Sequence, residues 1–286
     1  MTYNTLLSVG SLGIMATIFL VQPISRAQNP VEISNPIKNL EAILITQQPS
    51  PEVERYAVSA REKLKKRDYR GALADYDRIV QLDPNLAIAY GDRGAIKADK
   101  LQDYQGALSD LNRAIQLDPK LADAYNYRAK LKGQILGNFQ GALADINRAI
   151  QLNPKLADAY TTRGLLKVIR LEDPKGGLAD YNRAIQINPN NSSYLYFRGI
   201  TKIDLLHDTA GGMADLDRAV QLDPNEPLIH RARASRKYHL LKDRAGAIAE
   251  LKQANKLYQQ QGNAKDTEDT AKLLKYWEKV DKNPGS

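Results

Sequence analysis

The side chains that could do chemistry in this 286-residue chain are ordered by a period, not gathered in one motif. A carboxylate returns every 35 residues, at Asp75, Asp110, Asp145, Asp180, Asp215 and Glu250. Two cations spaced by four residues return with it: Arg93 and Lys97, Arg128 and Lys132, Arg163 and Lys167, Arg198 and Lys202, Arg233 and Lys237. In the first copy Ser59 takes the arginine position while Lys63 is kept. A carboxylate beside two cations serves either for ion pairing or, where positive charge is in surplus, for holding an anion. Recurrence in every copy favours pairing, because a carboxylate in a low-dielectric layer is costly unless paired and hydrogen-bonded. The spacing predicts a ladder of Arg–Asp–Lys contacts between the two helices of each repeat, with anion binding as the functional alternative.

Other chemistry finds little support. Cysteine is absent, which removes thiol catalysis, Cys-ligated metals and cysteine lipidation. The three histidines, His207, His230 and His239, do not share ligand spacing. No glycine-rich phosphate loop follows a strand, because no strand is predicted, and the pairs Gly176-Gly177 and Gly211-Gly212 fall at helix–helix turns where close packing explains them. An enzyme is not expected, nor a cofactor. The net charge of +8 is spread among acidic residues, apart from the run Lys63 to Arg67. Nucleic acid would require a concentrated basic stripe; the excess charge instead biases the chain toward acidic partners or anionic lipid surfaces.

The elements that must position these columns follow from the same period. Gly71, Gly106, Gly141, Gly176, Gly211 and Gly246 are spaced by 35 without a slip. Each opens a segment such as GALADYDRIVQLDP or GALADINRAIQLNP, and the last, GAIAELKQANKLYQ, has decayed. Ala72, Leu73, Tyr76, Ile79 and Val80 lie on one side of a helix. Asp83-Pro84 stops that helix, as do Pro119, Pro154, Pro189 and Pro224 in later copies. The helix before each glycine carries Ala89, Tyr90 and Gly94, then Ala124, Tyr125 and Ala129, then Ala159, Tyr160 and Gly164: a large residue one turn before a small one, so that two helices approach closely. Units of this size cannot bury an apolar face alone and must stack.

An aromatic, a small residue one turn on, an Asp-Tyr turn (Asp68-Tyr69-x-x-Ala72, Asp103-Tyr104-x-x-Ala107), an alanine opening the second helix and a terminal proline together resemble the tetratricopeptide repeat. The match covers about residues 53–261 in six copies: 53–86, 87–121, 122–156, 157–191, 192–226 and 227–261. The resemblance implies an all-α, right-handed α-solenoid of helix-turn-helix repeats. Copies two to six depart from it by one extra residue in the turn between their helices; the turn aromatic becomes Phe139 and is then lost. The Arg, Asp and Lys columns also stand where such repeats generally place apolar or aromatic residues.

The ends differ in kind. Leu6 to Val21 is apolar and is followed by Ser25-Arg26-Ala27, which reads as a secretory signal peptide over 1–27, cut after Ala27, or as an uncleaved membrane anchor. Residues 28–52, with Pro30, Pro36, Pro49 and Pro51, read as a linker. After Gly262-Asn263, a further helix over 267–280 presents Ala271, Leu274 and Trp277 on one face and serves as the C-terminal cap, within 262–286. The expected location is exported: the periplasm or a thylakoid lumen, soluble or tethered to a membrane by an uncleaved N-terminus.

In tetratricopeptide arrays the first helices line the concave groove, so columns that repeat hold the fold and columns that vary are free to read a partner. Three columns vary throughout: Gly91, Asn126, Thr161, Tyr196, Arg231; Ala95, Lys130, Leu165, Ile200, Ser235; and Asp99, Gln134, Ile169, Asp204, His239. A fourth places Tyr127 and Phe197 where other copies have Asp92, Thr162 and Ala232. The expected partner-binding residues are Asn126, Tyr127, Lys130, Gln134, Thr161, Tyr196, Phe197, Arg231 and His239, suited to an extended peptide or a partner helix. Drift on a solvated face is the alternative for any single position. The expected function is a non-enzymatic protein scaffold; similarity to exported bacterial, particularly cyanobacterial, repeat proteins implies assembly of envelope or thylakoid-associated complexes. A small-ligand or metal carrier using His230, His239 and Asp204 is the alternative from another class.

Overall fold

The computed structural model describes residues 49–282. The expected signal segment and most of the expected linker lie outside the described residues. Among the described residues every regular element is helical. The helices are α1 (Pro51–Lys65), α2 (Tyr69–Leu82), α3 (Ala87–Leu101), α4 (Tyr104–Leu117), α5 (Ala122–Lys130, continued by a π-helical turn over Leu131–Ile135), α6 (Phe139–Leu152), α7 (Ala157–Arg170), α8 (Pro174–Ile187), α9 (Ser192–Leu206), α10 (Thr209–Leu222), α11 (Pro227–His239), α12 (Arg244–Gln260) and α13 (Ala264–Lys282). Odd-numbered helices up to α11 are the first members of the hairpins and even-numbered ones the second. The fold is an all-α solenoid of helical hairpins.

Two compact units divide the chain, Met1–Asp173 and Pro174–Ser286. The first holds α1 to α7. The second holds α8 to α13. The division falls inside the repeat expected over 157–191, between its two helices.

The recurrent glycine has a local cause. Asp68, Asp103, Asn138, Asp208 and Asp243 cap the second helices, each side-chain oxygen accepting from the glycine amide three residues on, at 2.9, 2.9, 2.9, 2.8 and 2.9 Å. The capping side chain fills the volume that a Cβ on Gly71, Gly106, Gly141, Gly211 or Gly246 would need. The cap and the glycine are therefore one device, and neither changes without the other.

The extra residue of copies two to six is equally local. The amide after the turn residue bonds back across six positions, from Asp103 to the Lys97 carbonyl at 2.9 Å and from Asp243 to that of Lys237 at 3.0 Å. In the first copy the return, Asp68 to Lys63, spans five. The turn residue is left-handed in every copy, with φ of +59° at Arg67, +56° at Gln102, +67° at Gly137, +51° at Glu172, +57° at His207 and +58° at Lys242.

Core formation relies on small residues in the seams. Ala72, Ala107, Ala142 and Ala247 have no exposed surface. At Gly94 an added Cβ would stand 3.0 Å from Leu111 Cγ and 3.1 Å from the Ala107 carbonyl, and at Gly199 it would stand 2.9 Å from the Gly212 carbonyl. Tyr76, Ile79 and Ile96 in the first unit, and Leu251 and Trp277 in the second, fill the space beside such contacts. Tyr90, Tyr125 and Tyr160 pack against the core as the sequence suggests, and they do one thing more. Their rings lie beneath the guanidinium of Arg93, Arg128 and Arg163, at 5.2, 5.5 and 5.5 Å from the ring centroids.

Cap helix α13 begins three residues before the expected position and ends two after it. Trp277 is buried and stacks on Tyr238, with centroids 4.2 Å apart and planes 9° from parallel.

Candidate protein-binding face

The ladder exists. Asp110 receives Arg93 through Nε at 2.8 Å and Nη2 at 2.6 Å, and Lys97 at 2.8 Å. Asp145 receives Arg128 through both nitrogens and Lys132, all at 2.8 Å. Asp215 receives Arg198 at 2.9 and 2.5 Å and Lys202 at 2.9 Å. The first copy keeps only Lys63 to Asp75, at 2.7 Å. These pairs join the two helices of one hairpin. A third partner ties in the preceding hairpin: the remaining guanidinium nitrogen reaches Asp77 from Arg93 at 2.9 Å, Asn112 from Arg128 at 2.8 Å, Asn147 from Arg163 at 3.1 Å, Asn182 from Arg198 at 2.9 Å and Asp217 from Arg233 at 2.9 Å. Arg93, Arg128 and Arg198 thus each pin three helices, and their bidentate forks fix the register. Sequence reasoning missed this third column, although its signal was visible: an Asp or Asn recurs at 77, 112, 147, 182 and 217. With their donors turned onto protein oxygens, the cations hold register; they do not form an anion site.

The last rung is altered. Glu250 replaces aspartate and receives Arg233 at 2.8 Å, with Lys237 farther away at 3.9 Å. Its second oxygen lies 2.7 Å from His230 Nδ1. Burial works to raise the Glu250 carboxyl, but the His230 hydrogen bond and the Arg233 charge outweigh it and hold the group below its ordinary range.

Five of the nine expected binding residues are not displayed. Asn126, Tyr127, Thr161, Tyr196 and Phe197 are each no more than 5% exposed, so they have no surface with which to anchor a partner. Their variation is explained by pairwise packing between neighbouring helices. Thr162 donates to the Asn126 side-chain oxygen at 3.0 Å, joining α5 and α7. Tyr196 meets Phe197 edge-on at 5.2 Å, and Phe197 stacks on Tyr181 at 6.2 Å. In the same column Asp92 accepts from Tyr76 at 3.2 Å, and burial first, then the Asp92 charge, push the Tyr76 hydroxyl well above its ordinary pKa. A column that varies from copy to copy can therefore do so because each member answers a different neighbour.

Part of the rest of the first-helix face is accessible, although Ala95, Leu165 and Ile200 are buried as well. In the first unit it offers Asp99, Lys130 and Ile169. Asp99 is exposed, yet partial desolvation by the surrounding protein raises its carboxyl against the pull of Lys130 and Lys100. The side chain of Gln134 lies outside the described residues. In the second unit the half-buried residues are Asp204, Arg231, Ser235 and His239. Two of these are engaged by the cap: Arg231 donates to Asp266 of α13 at 3.1 Å, and the His239 ring stands edge-on to Trp277 at 6.0 Å. Burial first, then Lys242 and Arg236, depress the His239 pKa. Asp204 is paired with buried Arg236, a residue that stands where other copies have Ile96, Leu131, Leu166 and Thr201.

On the first unit a cavity of about 40 Å³ opens between α6 and α7, lined by Phe139, Gln140, Leu143, Leu166, Arg170 and Leu171. The Arg170 guanidinium lies 4.5 Å from the Phe139 centroid, and Leu171 is half exposed at its rim. The notch has room for the end of one aliphatic side chain.

Metal binding is not assembled from the expected residues. His230 has its Nδ1 on Glu250 and its Nε2 3.0 Å from the Pro224 carbonyl, and Asp204 is committed to Arg236. Among the described residues no group of three or more His, Cys, Asp or Glu side chains is placed to hold a metal ion.

Comparison with known proteins agrees with this architecture. A family model described as the tetratricopeptide repeat matches residues 63–132. The chain superposes on a chain of the crystal structure of the APC/C hetero-tetramer Cut9–Hcn1 with a TM-score of 0.67 and 16% identity, over 93% of this chain and 52% of that one. A tetratricopeptide repeat protein from Parabacteroides merdae gives a TM-score of 0.62 at 17% identity, over 91% of this chain and 99% of that one. A thermophilic repeat protein from Thermus thermophilus gives 0.57 at 16%, over 64% and 97%. No curated protein sequence matches the chain. The hairpin geometry, the recurrence of its caps and rungs, and the matched segment lead to one assignment: residues 63–132 carry the tetratricopeptide repeat, and the described chain has the all-α solenoid fold of proteins built from it.

Proposed function

We propose that the chain is an exported, non-enzymatic scaffold that holds a segment of a partner protein against its first helices. The observation that carries this reading is the division of labour among its polar groups. The recurrent Arg, Asp and Lys side chains turn inward onto one another, whereas the accessible first-helix positions, Asp99, Lys130 and Ile169 in one unit and Asp204, Arg231, Ser235 and His239 in the other, vary between copies, with only Asp99 and Asp204 alike within a column. A face that is chemically distinct at each step suits an extended peptide or a partner helix read position by position. Lys130, Arg231 and His239 remain the proposed contacts of the expected set, while the buried five form the wall behind them. Cut9–Hcn1, to which this chain is similar in fold, is a complex of two different chains, which supports a protein partner here. Export to a periplasm or thylakoid lumen rests on the apolar run before Ala27, and a role in envelope or thylakoid-associated assembly rests on similarity to exported repeat proteins.

Two measurements test the reading. Crosslinking in the native host compares the wild type with Lys130→Glu combined with Ser235→Glu, two half-buried positions outside the ladder. The expected result is one captured protein, weakened about thirtyfold by the double variant, since each reversed or added charge at a contact is worth about 1 kcal/mol and two such changes sum to about 2 kcal/mol. Undiminished capture overturns the first-helix face as the site. Mass spectrometry of the secreted chain is expected to show Gln28 at its N-terminus; retention of Met1 in the membrane fraction makes it a tethered adaptor instead.

A further inference from the structure

We propose that His230 is a proton-dependent clasp that closes the last hairpin, α11 with α12, and loosens it as pH rises. The geometry is specific to this copy. Equivalent positions hold Tyr90, Tyr125, Tyr160 and Leu195. Where the tyrosine hydroxyl of Tyr160 makes a single contact, to the Pro154 carbonyl at 3.3 Å, the His230 ring makes two. Nε2 faces the Pro224 carbonyl at 3.0 Å and Nδ1 faces the Glu250 carboxylate at 2.7 Å. Both partners accept, and a neutral imidazole has one donor only. The ring must carry two protons to satisfy both, and with a side chain 8% exposed it has little water to substitute for a lost bond.

The second half of the device is Glu250. Every other copy has aspartate in this column, and the longer side chain lets one oxygen keep Arg233 at 2.8 Å while the other reaches the ring. The charges around His230 are few. Arg233 lies on its own helix and opposes protonation; Lys237, farther along α11, lies 3.9 Å from Glu250. Asp217 of α10 is taken by Arg233, and Asp266 of α13 by Arg231. Among the described residues, Glu250 of α12 is the carboxylate that bonds to the ring. Its hydrogen bond raises the His230 pKa above the ordinary value, burial opposes, and the Pro224 carbonyl adds to the rise.

The sign follows from linkage. A histidine whose folded pKa lies above its unfolded value of about 6.5 stabilises the fold fully below that value, and the contribution fades as pH rises through the folded value. His239, shifted the other way, acts in the opposite sense below about pH 6.5, so it does not mimic the effect on the alkaline side. On losing its proton the ring leaves one buried acceptor unpaired. The hairpin that frays is the one that carries Arg231, Ser235 and His239, and its firmness becomes a function of pH.

Hydrogen exchange on the full chain tests the proposal, with protection factors corrected for intrinsic rates and measured from pH 6 to pH 9. For wild type, protection in α11 and α12 is expected to fall several-fold across this range, each unit of difference between folded and unfolded pKa being worth about tenfold, while α3 and α4 stay level. His230→Tyr restores the residue of the earlier copies and is expected to fold with no such fall. Glu250→Asp keeps a carboxylate for Arg233 but withdraws it from the ring, and is also expected to flatten the profile. Level protection in wild type, or a fall that persists unchanged in either variant, overturns the proposal.

Discussion

Removing the carboxylate of one rung distinguishes a ladder that holds the repeats from one that merely decorates them. Asp145 is 6% exposed and receives three hydrogen bonds of 2.8 Å, two from Arg128 and one from Lys132. Asp145→Ala leaves both cations facing an apolar hole. Breaking a fully buried pair in this way costs about 3–5 kcal/mol. Here the Arg128 and Lys132 side chains keep 17% and 20% exposure, so water screens part of the loss, and about 2–4 kcal/mol is the expected cost. Replacing the whole rung, with Asp145→Leu, Arg128→Met and Lys132→Met, removes the desolvation penalty together with the attraction and is expected to fall within about 1 kcal/mol of wild type. The triple variant also frees Asn112, the third tie of Arg128, which is exposed enough to turn to water. Hydrogen exchange in α4, α5 and α6 is the suitable assay, because a repeat array opens locally and a single unfolding midpoint does not isolate one rung. An Asp145→Ala loss below about 1 kcal/mol, the ordinary size of a surface change, refutes the reasoning. So does a triple variant as damaged as the single one, since the cost then comes from lost packing and not from stranded charge.

Two other substitutions test the local devices. Gly106→Ala, which in an unconstrained helix interior gains about 1 kcal/mol, is expected here to lose about 1–2 kcal/mol, because the new methyl displaces the Asp103 cap from the Gly106 amide; urea denaturation reads the sign directly. Trp277→Ala empties the stack on Tyr238 and is expected to cost about 3–5 kcal/mol, seen as lost exchange protection confined to α11, α12 and α13, with α1 to α6 unchanged.

Much of this was legible before any coordinates. The period, the helix stops at Asp-Pro, the cap helix with its tryptophan and the Arg–Asp–Lys rungs all follow from spacing, because each device is completed within one hairpin or between adjacent ones and recurs at a constant interval. Even the third tie of each arginine, at 77, 112, 147, 182 and 217, was written in the same register. What spacing could not reveal is which varying positions face outward. Asn126, Tyr127, Thr161, Tyr196 and Phe197 vary like a reading surface, yet they are buried. Variation in one column looks the same whether it answers a partner or the neighbouring helix, and only the distance between helices separates the two. The Thr162 bond to Asn126 and the Tyr76 bond to Asp92 join residues 36 and 16 positions apart, and no period links the identities of their partners in other copies. The clasp at His230 is of the same kind. The sequence names a histidine where tyrosine is usual and a glutamate where aspartate is usual, twenty residues apart; that the two side chains meet, with the Pro224 carbonyl behind the ring, is decided by how α11 lies on α12.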